Sequence, residues 1–347
     1  MQPLPPELKN DFDNKWQRFS MAAEAQRASF AGLADLRVTA EQTFTFSDFI
    51  ANSCIQSPAI LMDLYESDDL RQIYHSRTYT DKLAALMQHV QEDEQLEQIL
   101  RNFRRREMIR IAWRDLSGQA DLFETTSDLT NLADACIDHA LQLLYDRQCS
   151  VYGVPVGTGG SRQQLVVIGM GKLGGRELNF SSDVDLIFAY PQNGKTSGVE
   201  KPVSNEEFFI RLCRNFLQIL GKTTEDGLVF RLDLRLRPYG ENGPLAMSFG
   251  AMEEYYQHQG REWERYAWIK ARVVAGDKDS GGRLLEKLNP FVYRRYLDFG
   301  AFESLRNMKQ KITLEIKRKG MRGDIKLGRG GIRDLEFFGQ FFQLIRG

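Results

Sequence analysis

Eleven residues separate Gly171 from Asp183, and this spacing limits the possible folds more than any other feature of the chain. Gly169, Gly171 and Gly174 spell G-x-G-x-x-G behind the apolar run LVVI at 165–168, as at the start of a dinucleotide-binding unit. Such a unit next needs a helix of several turns, then a second strand with an acid at its far end. There is no room for that helix here. Ser181 and Ser182 suit a turn or a cap rather than a helix interior, and Asp183 and Asp185 open the next apolar run at once. A glycine fingerprint without its context is weak, and the dinucleotide reading is set aside.

The acids explain more. Side chains alternate along a strand, so Asp183 and Asp185 point one way while Val184 and Leu186 point into a core. Two carboxylates on one face repel unless a cation lies between them, and hard oxygen ligands suit a divalent ion. A third run, 228–237, reads LVFRLDLRLR. Its even positions are apolar, and Arg231, Asp233, Arg235 and Arg237 share the other face. Arginines around a carboxylate fit a site that holds both metal and phosphate, with Asp233 as third ligand and the guanidiniums on phosphoryl oxygens. Three aspartates from two strands suit two-metal displacement at phosphorus. Gly171 and Gly174 let backbone N–H groups approach a phosphate, Lys172 adds a point charge, and Ser182 joins these phosphate-binding candidates.

The remainder of the chain supplies the frame. At 347 residues it is long for one domain. Residues 1–150 read as a mainly helical region and 151–275 as the catalytic core, entered through a Gly/Pro-rich loop at 151–161. Residues 276–347 read as a helical C-terminal segment cut from a longer chain. Helices are expected at 205–220, opened by the S-x-x-E box Ser204 to Glu207, and at 251–259, 263–272 and 299–318. The fold class is α+β: a small mixed sheet flanked by extensive helical segments. A formal net charge of −1 gives no support for nucleic-acid binding, and no apolar run reaches membrane-spanning length. Four scattered cysteines without C-x-x-C, and four histidines not spaced for zinc, suggest reduced thiols in a cytoplasmic protein.

Other clusters have plainer readings. Arg101, Arg104, Arg105, Arg106, Arg110 and Arg114 crowd one helix; a solvated or acid-paired face is preferred over docking to an acidic partner. Lys270 and Arg272 are candidates to reach the cleft from a packing helix, and Asp334 and Glu336 are further candidate acids.

The order of small-residue turn, D-x-D and later single Asp resembles the nucleotidyltransferase superfamily of DNA polymerase beta. Lys172 stands where that pattern carries a serine. GMGKLGGRELNFSSDVDLIF, FRLDLRLRPYGENGPL, GREWERYAWIKAR and KLGRGGIRDLEF resemble more closely the family of bifunctional glutamine synthetase adenylyltransferase/adenylyl-removing enzymes. The earlier TFTFSDFIANS and FRRREMIRIAWRDL resemble its N-terminal, AMP-removing half. The resemblance implies phosphorolysis: inorganic phosphate is co-substrate, Mg²⁺ or Mn²⁺ is cofactor, and adenylylated glutamine synthetase is substrate. It also implies regulation by the PII signalling protein through the full-length enzyme. Two rivals stay open. One is the forward ATP-dependent adenylylation of a protein tyrosine, which the motif residues do not separate from removal. The other is a nucleotide- or PII-binding module without turnover, against which three intact aspartates argue.

Overall fold

The structure, a computed structural model, describes residues 4–26, 33–224, 227–293 and 331–346, with isolated positions at 310, 314, 318, 325 and 330. Of the helix expected at 299–318 only positions 310, 314 and 318 are described, each helical, and the rest lies outside the described residues. Two compact units divide the chain. The first comprises residues 1–139, 176–182 and 219–230, and the second comprises 140–175, 183–218 and 231–347.

The first unit is helical: α1 (Pro6–Ala25), α2 (Leu33–Phe46), α3 (Asp48–Gln56), α4 (Pro58–Glu66), α5 (Thr78–Met87), α6 (Asp93–Leu116) and the start of α7 (Leu122–Tyr152). Local chemistry places their ends. Proline occupies the first turn of α1 and of α4, where no N–H partner is lost, and the Ser47 hydroxyl accepts the Ile50 N–H at the head of α3. Phe12, Trp16, Phe19, Phe44 and Trp113 gather into an aromatic centre, with Phe44 edge-on to both Phe19 and Trp113.

Arg106, Arg110 and Arg114 of α6 are paired internally. Arg110 is wholly buried, donating to Glu107 (3.2 Å), Asp128 (2.8 Å) and the Tyr79 hydroxyl (3.1 Å) beneath the Tyr74 ring. Arg106 joins Asp63, Asp69 and Glu107, and Arg114 joins Glu124 and the Leu70 carbonyl. For these residues the acid-paired reading holds, because Asp63, Asp69 and Asp128 come from other parts of the chain.

The second unit holds the sheets. Strand β2 (Val166–Gly169) lies between β3 (Val184–Tyr190) and β7 (Arg272–Gly276), antiparallel to both, and β3 runs parallel to β5 (Leu232–Asp233) and to β6 (Ala246–Ser248). A separate ribbon joins β1 (Val154–Val156) to β4 (Lys195–Ser197). Helix α9 (Asn205–Gly221) starts where the S-x-x-E box places it, with the Ser204 hydroxyl accepting the Glu207 N–H at 3.1 Å. Helices α10 (Phe249–His258) and α12 (Lys278–Val292) pack Met252, Tyr256, Leu284 and Leu288 onto Val166, Ile168 and Ile187.

Three expectations are corrected here. The run at 228–237 is not a ten-residue strand: only Leu232 and Asp233 pair. The Asp233 carboxylate captures the Arg235 N–H at 2.8 Å, and a turn follows in which the Arg237 N–H reaches the Leu234 carbonyl. An aspartate that satisfies the backbone two residues on ends the strand although the apolar alternation continues. The helix expected at 263–272 is α11 (Glu262–Ile269), and Arg272 instead starts β7. The loop expected at 151–161 contains the last two residues of α7 and all of β1. Among the described residues no helix is long and apolar enough to cross a membrane.

Candidate active site

The site begins with register. In the parallel pair β3–β5, Val184 lies opposite Leu232 and Asp185 opposite Asp233. Register partners project from the same side of a sheet, so Asp185 and Asp233 are neighbours on the face that Asp183, two residues earlier, also serves. Val184 and Leu186 are completely buried on the opposite face, as the alternation requires. The Val184 N–H donates to the Arg231 carbonyl at 2.8 Å, carrying the pairing back to the first arginine.

Each outer aspartate holds an arginine. Arg231 Nε lies 2.8 Å from Asp183 Oδ1, with both side chains more than half exposed or close to it (58% and 50%). Arg235 folds over Asp233, its Nε 3.0 and 2.8 Å from the two carboxylate oxygens and its Nη2 on Oδ2. These bonds from the Arg235 side chain hold the Asp233 carboxyl below its ordinary range against the opposing effect of burial, so it is ionised at neutral pH. Arg237 is engaged differently. Its guanidinium donates to the carbonyls of Leu234 (3.0 Å), Glu241 (2.9 Å) and Gly243 (3.3 Å), tying the turn that follows Asp233.

The glycine turn forms α8, a single turn at Gly171–Gly174. Gly171 has φ +54°, and a Cβ there would lie 2.9 Å from Asp185 Oδ2. The Met170 N–H donates to the Asp185 carbonyl at 2.9 Å, so the turn touches this aspartate at backbone and side chain. Gly174 has another reason to be glycine: a Cβ would come within 1.7 Å of the Lys270 carbonyl. Close backbone approach in a small α+β core thus explains the fingerprint without a dinucleotide. Lys172 is half-buried on α8. Ser182 belongs to the first unit, where its hydroxyl donates to Asn179 Oδ1 at 2.6 Å.

The donor set fits a hard divalent cation in kind: carboxylate oxygens on one face, with the space above Asp185 kept open by a residue that has no side chain. Among the described residues no group of three or more His, Cys, Asp or Glu is already gathered in ligand geometry. Arg231 and Arg235 stand on two of the three carboxylates, and ligation requires them to move aside.

Sequence reasoning missed the role of β7. Arg272 donates from Nη2 to the Leu173 carbonyl (2.9 Å) and from Nε to the Gly174 carbonyl (3.3 Å), at the far end of α8. The signal was present in Val273-Val-Ala-Gly276, a β-branched run closed by a glycine. Lys270, the other candidate for the cleft, pairs with Glu336 at 3.3 Å. The Asp334 side chain lies outside the described residues.

Fold and site together resemble those of a nucleotidyltransferase, with aspartates from two parallel strands beside a glycine turn. The chain belongs to the glutamate-ammonia ligase adenylyltransferase family, whose model matches residues 38–287. Residues 306–347 match the model for GlnD PII-uridylyltransferase. A relative from Nitrosococcus oceani, named bifunctional glutamine synthetase adenylyltransferase/adenylyl-removing enzyme, is 50% identical over 345 residues, 99% of this chain and 36% of the relative. Proteins of the same name from Pseudomonas aeruginosa and Shewanella loihica are 52% and 44% identical, covering 87% and 100% of this chain and 31% and 36% of theirs. The chain spans about a third of the length of these relatives.

Proposed function

We propose that this chain removes AMP from an adenylylated tyrosine of glutamine synthetase by phosphorolysis. A phosphate oxygen attacks the adenylyl phosphorus, the bond from phosphorus to the tyrosine oxygen breaks, the tyrosine oxygen takes up a proton, and ADP leaves. The observation that carries the reading is the register pairing of Asp185 with Asp233, beside Asp183, with an arginine on each outer carboxylate. The names of the relatives, which join adenylyl transfer to adenylyl removal, support it. The match of residues 306–347 is the reason for keeping PII as a regulatory partner of the longer protein.

Asp183, Asp185 and Asp233 would hold Mg²⁺ or Mn²⁺. When bound, such an ion supplies charge stabilisation to the oxygens that attack and leave phosphorus. Arg231 and Arg235 exchange their aspartates for phosphoryl oxygens of the nucleophile and of the adenylyl group, contacts for which the guanidinium fork is suited. Lys172 adds charge from the glycine turn. Phosphate is an anion at neutral pH, so the chemistry asks for no general base, and positioning with charge neutralisation supplies the rate.

The test is a product assay with adenylylated glutamine synthetase, Mg²⁺ and inorganic phosphate, with Asp183→Asn and Asp185→Asn as controls. ADP that requires phosphate and both aspartates is the expected result. AMP transfer from ATP onto unmodified enzyme, without ADP release, would establish the forward reaction instead. A folded chain inactive in both directions counts against catalysis by this stretch.

A further inference from the structure

We propose that Arg272 is a positioning residue for Asp185, acting through the single helical turn that lies between them; this deepens, and rests on, the phosphorolysis reading above. Helix α8 has four residues, and its own support is two backbone bonds, Gly174 N–H to the Met170 carbonyl (3.1 Å) and Gly175 N–H to the Gly171 carbonyl (3.0 Å). One turn does not hold itself in water, since nucleation fixes several residues for little hydrogen bonding. Its geometry is imposed from outside.

The Leu173 side chain is buried beneath the turn, and two further contacts come from Lys270 and from Arg272 at the start of β7. The Lys270 carbonyl lies so close to Gly174 that any side chain there would collide with it, an approach that glycine alone permits. Arg272 then reaches back to the carbonyls of Leu173 and Gly174, the last acceptors of the turn, with a charge that complements the carbonyl end of a helix. At the head of the turn, Gly171 stands against Asp185 Oδ2 and the Met170 N–H holds the Asp185 carbonyl. A turn clamped at its tail presents a fixed wall to the carboxylate at its head. Released, it lets Asp185 rotate away from the face it shares with Asp233. Both edges of β2 serve the same arrangement at its C-terminal end, because Gly169 is in register with both Leu186 of β3 and Arg272 of β7. Arg272 touches no reacting atom in this account. It sets where one metal-binding carboxylate points.

The experiment titrates Mn²⁺ alone against the protein by electron paramagnetic resonance, in parallel with the ADP assay and a thermal melt. For Arg272→Ala the expected result is Mn²⁺ binding weakened at least about fivefold, with an unshifted melt. Turnover at saturating phosphate should fall about tenfold, with the phosphate KM within about twofold of the parent. Arg272→Lys, which keeps one donor and the charge, should recover a large part of both losses. Mn²⁺ affinity equal to the parent in a folded Arg272→Ala protein overturns the proposal. So does a phosphate KM that rises in proportion to the loss, since that marks Arg272 as a phosphate ligand. If Arg272→Ala does not fold, Arg272→Gln, which retains a single amide donor, decides by the same Mn²⁺ criterion. A parent that binds Mn²⁺ but releases no ADP removes the phosphorolysis reading and leaves the positioning role to be judged on affinity alone.

Discussion

Arg110 and Arg235 each bind carboxylates at hydrogen-bonding distance, yet they sit in opposite surroundings. Arg110, with Glu107 and Asp128, is sealed within the first unit, where none of the three side chains is more than 4% exposed. Arg235, in the second unit, is 70% exposed while it covers Asp233. Charges taken out of water must keep their partners, because an orphaned buried ion has nothing to replace them. Charges that remain in water lose little when partners exchange. One chain therefore uses the same pair of functional groups twice, once sealed away from water and once at its surface, where under the proposed function the arginine is a replaceable cover over the acid.

The largest expected effect breaks the first half of this contrast. Arg110→Ala leaves Asp128 buried without its cation and Glu107 with Arg106 alone, and should cost about 3–5 kcal/mol of stability, read from urea unfolding. Arg235→Ala, measured identically, should leave the unfolding midpoint in place. Equal losses in the two variants would mean that exposure does not separate the pairs. Next comes the second half. Asp185→Asn should lower phosphate-dependent ADP release by ~100- to 1000-fold, the scale for removing one electrostatic stabiliser, while the unfolding midpoint stays unchanged. A smaller effect is expected for Gly171→Ala. Its left-handed backbone disfavours a side chain by about 1–2 kcal/mol, and the new methyl would press on Asp185, so stability and activity should fall together.

What was readable in the sequence was local. The alternation around Asp183 and Asp185 placed both on one face, and Ser204 marked the start of α9, because each signal lies within a few residues of what it determines. The adjacency of Asp185 and Asp233 came through only as three acids from two strands; their parallel register is a long-range pairing that no local pattern encodes. The short β5 was missed because hydrophobic alternation ignores side-chain capture, and Asp233 takes the Arg235 N–H that a longer strand would need. β7 was missed because Trp263, Ala267 and Lys270 are helically spaced and the run was carried one turn too far. The arginines of α6 read as a basic face because their acidic partners, Asp63, Asp69 and Asp128, lie up to 43 residues away.

The smallest expected effect tests whether burial or pairing governs the sealed network. Burial pushes the Asp128 carboxyl up to about 6, and the pull of Arg110 in the other direction only partly offsets this. Asp233 is the opposite case, held low because the bonds from Arg235 outweigh its burial. The sign for Asp128 follows from proton uptake. Between about pH 4 and 6 the folded protein keeps a proton that the unfolded chain has released, so the contribution of this group is full below that window and declines as pH rises through it. The slope is at most ~1.4 kcal/mol per pH unit, one proton's worth. Asp128→Asn removes it, so the stability difference between parent and variant should shrink from about pH 4 to 6 when both are unfolded in urea. A difference that grows with pH would show that pairing with Arg110 outweighs burial. Asp128 would then behave as Asp233 does, and the two regions would differ in exposure but not in the electrostatics of their carboxylates.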